Sequence, residues 1–145
     1  MQNILIMCIG NRDGGDDGIG PYIADKLMKT SNDVIDCGTT PENYTAVVKQ
    51  KQPKTLIIID AAEMNLTPGE IRIIPKEKIS TMHISTHGIP LSLLMTYLEK
   101  EGEKILLIGI QPKHMSGSIS NMVKKGADHL IEILKRQQYE GIPRL

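Results

Sequence analysis

The fold of this chain is decided near its start, where residues 3–28 read NILIMCIGNRDGGDDGIGPYIADKLM. Residues 3–9 form a short, almost continuous apolar run, which predicts a strand buried on both faces of a parallel sheet. A glycine-rich turn follows, and then apolar residues at helical spacing, with Pro21 at an early helical position. A strand, a glycine-rich turn and a helix in this order are typical of an α/β protein.

The turn carries carboxylates where a nucleotide-binding loop would carry a cation. Gly10 and Gly15 have the spacing of a P-loop, but Asp16 occupies the position of its lysine and Asp17 follows. Carboxylates repel a triphosphate, so the turn favours a metal ion over a phosphate. The same acids can instead cap a helix N-terminus, because the helix dipole favours negative charge there. Both interpretations stay open at this point.

The rest of the chain alternates between strand and helix patterns without a long linker or repeat. Further apolar runs predict strands at residues 34–37, 55–60 and 105–110, and a more alternating segment at 69–75 predicts an edge strand of undecided direction. We expect a three-layer αβα sandwich with a mainly parallel twisted sheet of about five strands, in which the edge strand can be antiparallel.

The helices and the C-terminus complete this prediction. Residues 41–51 and 118–138 are expected to be helical, and a helix after Pro90 is expected to bury Leu91, Leu93, Leu94, Tyr97 and Leu98. The last residues, 139–145, are expected to form a loose tail or to brace a neighbouring loop. The whole chain, residues 1–145, has the size of a single domain.

The composition excludes several classes of partner. Seventeen basic and 17 acidic residues cancel, so no long-range field favours nucleic acid or an anionic membrane. Four tyrosines with no phenylalanine or tryptophan make a poor stacking platform for single strands. The first apolar run is too short for a signal peptide or a membrane span. Cys8 and Cys37 end apolar runs and are expected to be buried thiols. We expect a cytoplasmic monomer with no membrane insertion.

Three side chains are candidates for a metal site, namely Asp17, Asp60 and His87. Asp17 follows the first strand, Asp60 ends the third, and His87 lies in a loop before a helix. Open α/β sheets bind ligands beyond the carboxyl ends of their strands, where the strand order reverses. Two carboxylates and an imidazole suit a divalent transition metal with open coordination positions. Aspartates at strand ends also serve as caps or face solvent, so spacing alone does not decide.

Other constellations are weaker. His83 and His87 are four residues apart, but in an extended segment they would lie roughly 13 Å apart, too far to share an ion. The chain contains no Gly-x-Ser-x-Gly elbow for a serine nucleophile. His114 and His129 have charged neighbours and are expected to face solvent.

Phrases spread in order from about residue 3 to residue 135 carry a resemblance to a known family. The phrases are Gly10-Asn11, Asp16-Asp17-Gly18-Ile19-Gly20-Pro21, Pro41-Glu42-Asn43, Asp60-Ala61, Pro68-Gly69-Glu70-Ile71-Arg72-Ile73, Thr86-His87 with Pro90-Leu91, and Gly109-Ile110-Gln111-Pro112. With these phrases the chain resembles the nickel-iron hydrogenase maturation endopeptidases, and among them the branch serving membrane-associated, hydrogen-evolving hydrogenases.

The resemblance implies a definite activity. Members of this family remove a short C-terminal extension from the hydrogenase large-subunit precursor after nickel insertion. Their metal-contacting and catalytic positions match Asp17, Asp60 and His87, although the first is glutamate in some relatives. Asp16 matches an acidic position that we interpret as a helix cap or a support for the metal ligands. The resemblance implies nickel supplied by the substrate, no nucleotide, and the nickel-loaded precursor as partner.

Two other functions remain as alternatives. A non-catalytic assembly factor that recognises a metal-containing partner would bind the precursor and release no peptide. A nucleotide-binding α/β enzyme would use the same first turn, and saturable stabilisation by ATP, GTP or NAD would reveal it. The missing lysine argues against the second alternative.

Overall fold

The computed structural model describes residues 3–31, 33–79, 81–82, 90–99 and 104–145. Within these residues the chain forms one five-stranded sheet of order β2-β1-β3-β5-β4. Strands β1, β2, β3 and β5 run parallel, and β4 pairs antiparallel with β5 at the edge. The strands are β1 (Ile4–Ile9), β2 (Val34–Gly38), β3 (Thr55–Ala61), β4 (Ile71–Ile74) and β5 (Lys104–Ile110). The predicted sheet is confirmed, and its edge strand is antiparallel.

Helices cover both faces of the sheet. The α-helices are α1 (Ile19–Leu27), α2 (Thr45–Lys51), α3 (Lys76–Ile79), α4 (Leu91–Glu99) and α5 (Asn121–Lys135), with short 3-10 helices at Gly15–Gly18, Pro41–Tyr44 and Tyr139–Gly141. Successive residues of a strand face opposite sides, so Ile57 packs in a cluster with α1 and α5, and Ile58 packs in another with α2 and α4. The three-layer arrangement is therefore confirmed.

The strand order reverses at β1. The chain adds β2 on one side of β1 and then crosses to place β3 on the other side. Because β1 and β3 are parallel and in register, with Cys8 beside Ile59, their carboxyl ends lie next to each other. A crevice for ligands forms at such a reversal. The turn that carries Asp17 follows β1, and Asp60 is the last residue but one of β3, so both belong to this edge.

Two helix predictions need correction. Helix α4 buries Leu91, Leu94, Met95 and Leu98, whereas Leu93 is 57% and Tyr97 43% exposed. The buried residues follow the i, i+3, i+4, i+7 spacing of a helix face, and Leu93 and Tyr97 fall outside it. The final helix is shorter than predicted at both ends. Ser120 is extended at its N-cap, and Gln137 has a φ of 56° just beyond its end.

The C-terminal residues are not a loose tail. Tyr139 and Ile142 are buried in the core. Arg144 forms a parallel bridge with Ile73, where the N–H of Ile73 donates to the carbonyl of Pro143 at 2.9 Å and the N–H of Leu145 donates to the carbonyl of Ile73 at 2.9 Å. The tail thus braces β4, and it pairs with a strand rather than with a loop.

The cysteine prediction is confirmed, since Cys8 and Cys37 are both buried free thiols. In the described part of the chain, no helix combines the length and the apolar character needed to cross a membrane.

Candidate metal and catalytic centre

The glycine-rich turn folds back tightly against the end of β1. A Cβ at Gly10 would lie 2.0 Å from the carbonyl oxygen of Asp17, and one at Gly20 would lie 2.1 Å from the carbonyl oxygen of Ile9. Real Cβ atoms do not approach so closely, so glycine is needed at both positions. The close approach brings the 3-10 helix Gly15–Gly18 beside the strand end. Asp17 is consequently held at the edge of the sheet.

Asp17 is buried in this turn, with 3% of its surface exposed. Its backbone N–H donates to the carbonyl of Gly14 at 3.2 Å, and its Oδ2 accepts the N–H of Asn11 at 3.2 Å. The turn preceding the helix therefore orients the carboxylate through the main chain of Asn11.

Asp60 lies on β3 next to this turn and is completely buried. Neither of its carboxyl oxygens accepts a hydrogen bond of normal geometry from any described residue. Burial raises the pKa of Asp60 well above its usual range, and the negative charge of Asp17 raises it further. The nearby backbone N–H of Ala61 acts in the opposite direction and lowers the pKa of Asp60, although it does not form a hydrogen bond of normal geometry.

A cation fits this arrangement. A buried carboxylate without hydrogen bonds is rare and destabilising, and a neighbouring carboxylate adds repulsion. A divalent ion bound by both groups would relieve the desolvation and the repulsion together. Carboxylate oxygens alone make an incomplete site, and the described residues contain no group of three or more potential His, Cys, Asp or Glu ligands. The third predicted ligand, His87, lies outside the described residues, as does His83.

The carboxylate of Asp16 is bonded to a segment distant in the sequence. Its carboxylate is fully buried and accepts four hydrogen bonds, all from the connection between β5 and α5. Burial tends to raise its pKa, but the bonds from Ser120, Lys113 and His114 outweigh this and lower it. The sequence left open that Asp16 caps a helix. Its carboxylate does lie at a helix N-terminus, but at that of α5 and not at that of α1, which follows Asp16 in the chain.

Sequence reasoning assigned no role to Gln111, which is a further buried polar residue at this edge. Gln111, directly after β5, is 3% exposed. Its Oε1 accepts the N–H groups of Met64 and Leu66 at 2.7 and 3.2 Å, and its Nε2 donates to Glu63 at 2.8 Å. Gln111 therefore holds the loop that follows Asp60. The available signal was a polar residue at the abrupt end of an apolar run, the same signal that identified Asp60.

The cysteines are not suited to nucleophilic chemistry. Burial raises the pKa of Cys8 well above its usual range, and the charges of Cys37 and Asp36 raise it further. Burial, with Asp36 and Glu42, raises the pKa of Cys37 to about 12. Only the thiolate is a good nucleophile, so both thiols are inert near neutral pH.

An open groove of about 400 Å³ adjoins the turn that carries Asp17, between the ends of β1 and β2. Gly10, Asn11, Arg12 and Tyr44 contribute to its walls. Arg12 spans it by pairing with Asp25 of α1 at 2.8 Å and with Asp36 of β2 at 2.6 Å. Asp17 and Asp60 do not line this groove, but Asn11, whose N–H donates to Asp17, does.

Fold and site together define a three-layer α/β protein with two buried carboxylates at the reversal point of its sheet. The hydrogenase maturation protease family matches residues 21–137. The chain is 39% identical over 112 residues to the hydrogenase 3 maturation protease of Escherichia coli strain K12, covering 74% of this chain and 72% of that protein.

Solved structures agree with this match. The endopeptidase HycI of Escherichia coli superposes with a TM-score of 0.90 at 32% identity, covering 100% of this chain and 97% of that one. The nickel-iron hydrogenase maturation protease HycI of Thermococcus kodakarensis gives a TM-score of 0.83 at 31% identity, covering 93% and 91%. The chain belongs to the hydrogenase maturation protease family, and it is a peptidase.

Proposed function

We propose that this protein removes the C-terminal extension of a nickel-iron hydrogenase large-subunit precursor after nickel has been inserted. The observation that carries the proposal is Asp60, completely buried beside Asp17 and without a hydrogen bond from the described residues. In a peptidase of this family, such a pair at the sheet edge suits a cation brought by the substrate.

The proposed centre consists of Asp17, Asp60 and His87. The two carboxylates are rigidly placed, one by β3 and one by the turn after β1, and they supply hard oxygen donors. The chain has no HExxH motif, so a site completed by the substrate's own nickel ligands fits better than a closed resident zinc site. Cleavage is then restricted to precursors that already carry nickel.

The chemistry required is hydrolysis of one amide bond. Water adds to the scissile carbonyl, a proton leaves the water, and the amine departs with a proton. A bound divalent ion can polarise the carbonyl and acidify water. Asp17 and Asp60 would hold such an ion, and either carboxylate would be able to accept the proton that leaves the water. The groove beside Asn11 and Tyr44 would take the extended segment of the precursor.

We also infer that the protein acts as a monomer of one domain in the cytoplasm, with nickel-loaded precursor as its partner and without nucleic acid. The two unpaired cysteines support a reducing compartment.

The direct test is incubation of the purified protein with precursor that carries or lacks nickel, followed by mass spectrometry of the precursor. We expect a shortened product only from the loaded precursor. Equal cleavage of both forms would refute nickel recognition. Binding without any shortened product would favour the non-catalytic assembly factor.

His87→Ala tests the ligand that lies outside the described residues. We expect this variant to lose processing of loaded precursor while its thermal unfolding stays close to that of the parent. Normal processing by His87→Ala would remove His87 from the centre.

A further inference from the structure

The connection between β5 and α5 crosses directly over the 3-10 helix that carries Asp16 and Asp17. The backbone N–H of Asp16 donates to the carbonyl of His114 at 2.9 Å. Gly15 has a φ of 62°, and a Cβ there would lie 2.5 Å from the backbone nitrogen of Ser116. The two segments are therefore in main-chain contact beside the candidate centre.

The carboxylate of Asp16 stabilises this contact between the 3-10 helix and the β5–α5 connection. Its Oδ2 accepts the N–H groups of Lys113 at 2.8 Å and His114 at 3.1 Å, and the hydroxyl of Ser120 at 2.7 Å. Its Oδ1 accepts the N–H of Ser120 at 2.6 Å. All four donors lie about 100 positions away in the sequence, so one side chain joins two distant loops at the same edge of the sheet.

The two segments differ in how they are held. Residues 113–118 are all exposed, so burial contributes little to their position. The four residues of the 3-10 helix are all buried, but a helix this short is not stable by itself. Asp16 joins the two segments through its own N–H and through the four hydrogen bonds that its carboxylate accepts.

We propose that Asp16 is a positioning residue for Asp17. The two acids are adjacent in one rigid turn, and Asp16 is saturated with donors, which leaves Asp17 as the acid directed to the substrate's metal. Anchoring Asp16 fixes the rotation of the turn, and hence the place of the Asp17 carboxylate relative to Asp60. This inference rests on the proposed function, since it assigns a role within the same centre.

The test compares Asp16→Asn with Ile142→Ala. Asp16→Asn replaces one carboxylate oxygen with an NH2 group, which cannot accept the bonds from Lys113, His114 and Ser120. Ile142→Ala is the control, because Ile142 is buried near the C-terminus and outside the candidate centre. At a temperature where both variants are folded, we expect Asp16→Asn to lower kcat on loaded precursor by about 10-fold or more with KM little changed. We expect Ile142→Ala to keep the parent's kcat. Parent-like kcat in Asp16→Asn would overturn the proposal.

A second readout does not depend on activity. The N–H of Asn11 donates to Oδ2 of Asp17, so its hydrogen exchange by NMR reports whether the carboxylate stays in place. We expect protection of Asn11 to fall in Asp16→Asn more than in Ile142→Ala. Equal protection in the two variants would overturn the positioning role. If the parent itself fails to cleave precursor, the proposed function fails and this readout still decides the inference.

Ser120→Ala serves if Asp16→Asn does not fold. It removes one of the four bonds and keeps the three backbone donors. A few-fold loss of kcat with reduced protection of Asn11 would support the role of Asp16. No change in either quantity would contradict it.

Discussion

At the scale of single residues, two buried acids and one buried amide at the same edge of the sheet differ in their hydrogen bonding. Asp16 accepts four hydrogen bonds, and Gln111 makes bonds through both ends of its amide. Asp60 accepts none of normal geometry from the described residues. Polar groups that are buried and satisfied stabilise a fold, whereas one left unsatisfied destabilises it and points to a ligand.

Asp60→Asn should therefore stabilise the metal-free protein. Burial and the charge of Asp17 raise the pKa of Asp60 in the folded state above that of the unfolded chain. As pH rises past the unfolded pKa, the unfolded chain releases this proton first, so the parent loses stability and the variant does not. We expect the free energy of unfolding at pH 7, measured with urea in the presence of EDTA, to rise by about 1 kcal/mol.

The difference in the free energy of unfolding between Asp60→Asn and the parent should vanish when the pH falls below the ordinary pKa range of an aspartate. Residue 60 of the parent is then protonated in both the folded and the unfolded chain. Asp13→Asn is the matched control, since Asp13 is exposed in the same turn region. A variant less stable than the parent at pH 7 would show that Asp60 carries no penalty in the metal-free fold.

At the scale of elements, the strands could be predicted from local sequence patterns, whereas the orientation of α4 and the direction of β4 depend on contacts between distant segments. The strands were predictable because continuous apolar runs such as Thr55–Ala61 have few other uses in a chain of this size. The exposure of Leu93 and Tyr97 could not be predicted, because five apolar candidates in one helix do not indicate which of them face the sheet. The direction of β4 depends on pairing with β5, which no local pattern encodes.

The same distinction applies to the candidate centre. Asp17 and Asp60 could be proposed because acids that end strands collect at the reversal point of a parallel sheet. The partners of Asp16 and Gln111 could not, since the bonding residues are about 100 and about 47 positions away. Side-chain bonds between loops follow from the assembled topology and leave no periodic trace in the sequence.

Helix α5 provides a prediction at this scale through Gly126. A Cβ at this position would lie 2.1 Å from the carbonyl oxygen of Gly69. Helix propensity favours alanine over glycine by about 1 kcal/mol, but the clash acts against the helix packing. We expect Gly126→Ala to lower the free energy of unfolding by about 1–3 kcal/mol in urea denaturation.

Lys125→Ala, at the exposed neighbouring position, is the control for helix propensity without a clash. We expect it to stay within about 0.5 kcal/mol of the parent. A Gly126→Ala protein as stable as the parent would mean that α5 and the loop at Gly69 can separate at little cost.

At the scale of the whole molecule, the C-terminal tail covers the edge of the sheet. Strand β4 would otherwise present unpaired main-chain groups, and exposed edges promote association between chains. The bonds of Ile73 to Pro143 and Leu145 occupy part of this edge. The tail was expected to be loose or to brace a loop, and instead it pairs with β4 at the edge of the sheet.

Deletion of residues 142–145 should expose this edge. Loss of the buried Ile142 and of both main-chain bonds to Ile73 should lower stability by about 2 kcal/mol or more. We also expect concentration-dependent association in light scattering. Arg144→Ala keeps the main-chain bridge and should behave like the parent. A truncated protein with parent-like stability and mass would contradict a role for the tail.

The proposed reaction depends on two buried carboxylates, Asp17 and Asp60, that act on a nickel-loaded precursor. The most direct test of this dependence is the product mass of that precursor after incubation with the parent, Asp13→Asn and Asp60→Asn. The account predicts a shortened precursor from the parent and Asp13→Asn, and an uncut one from Asp60→Asn even though that variant is folded. Cleavage by Asp60→Asn at the parent's rate would contradict it.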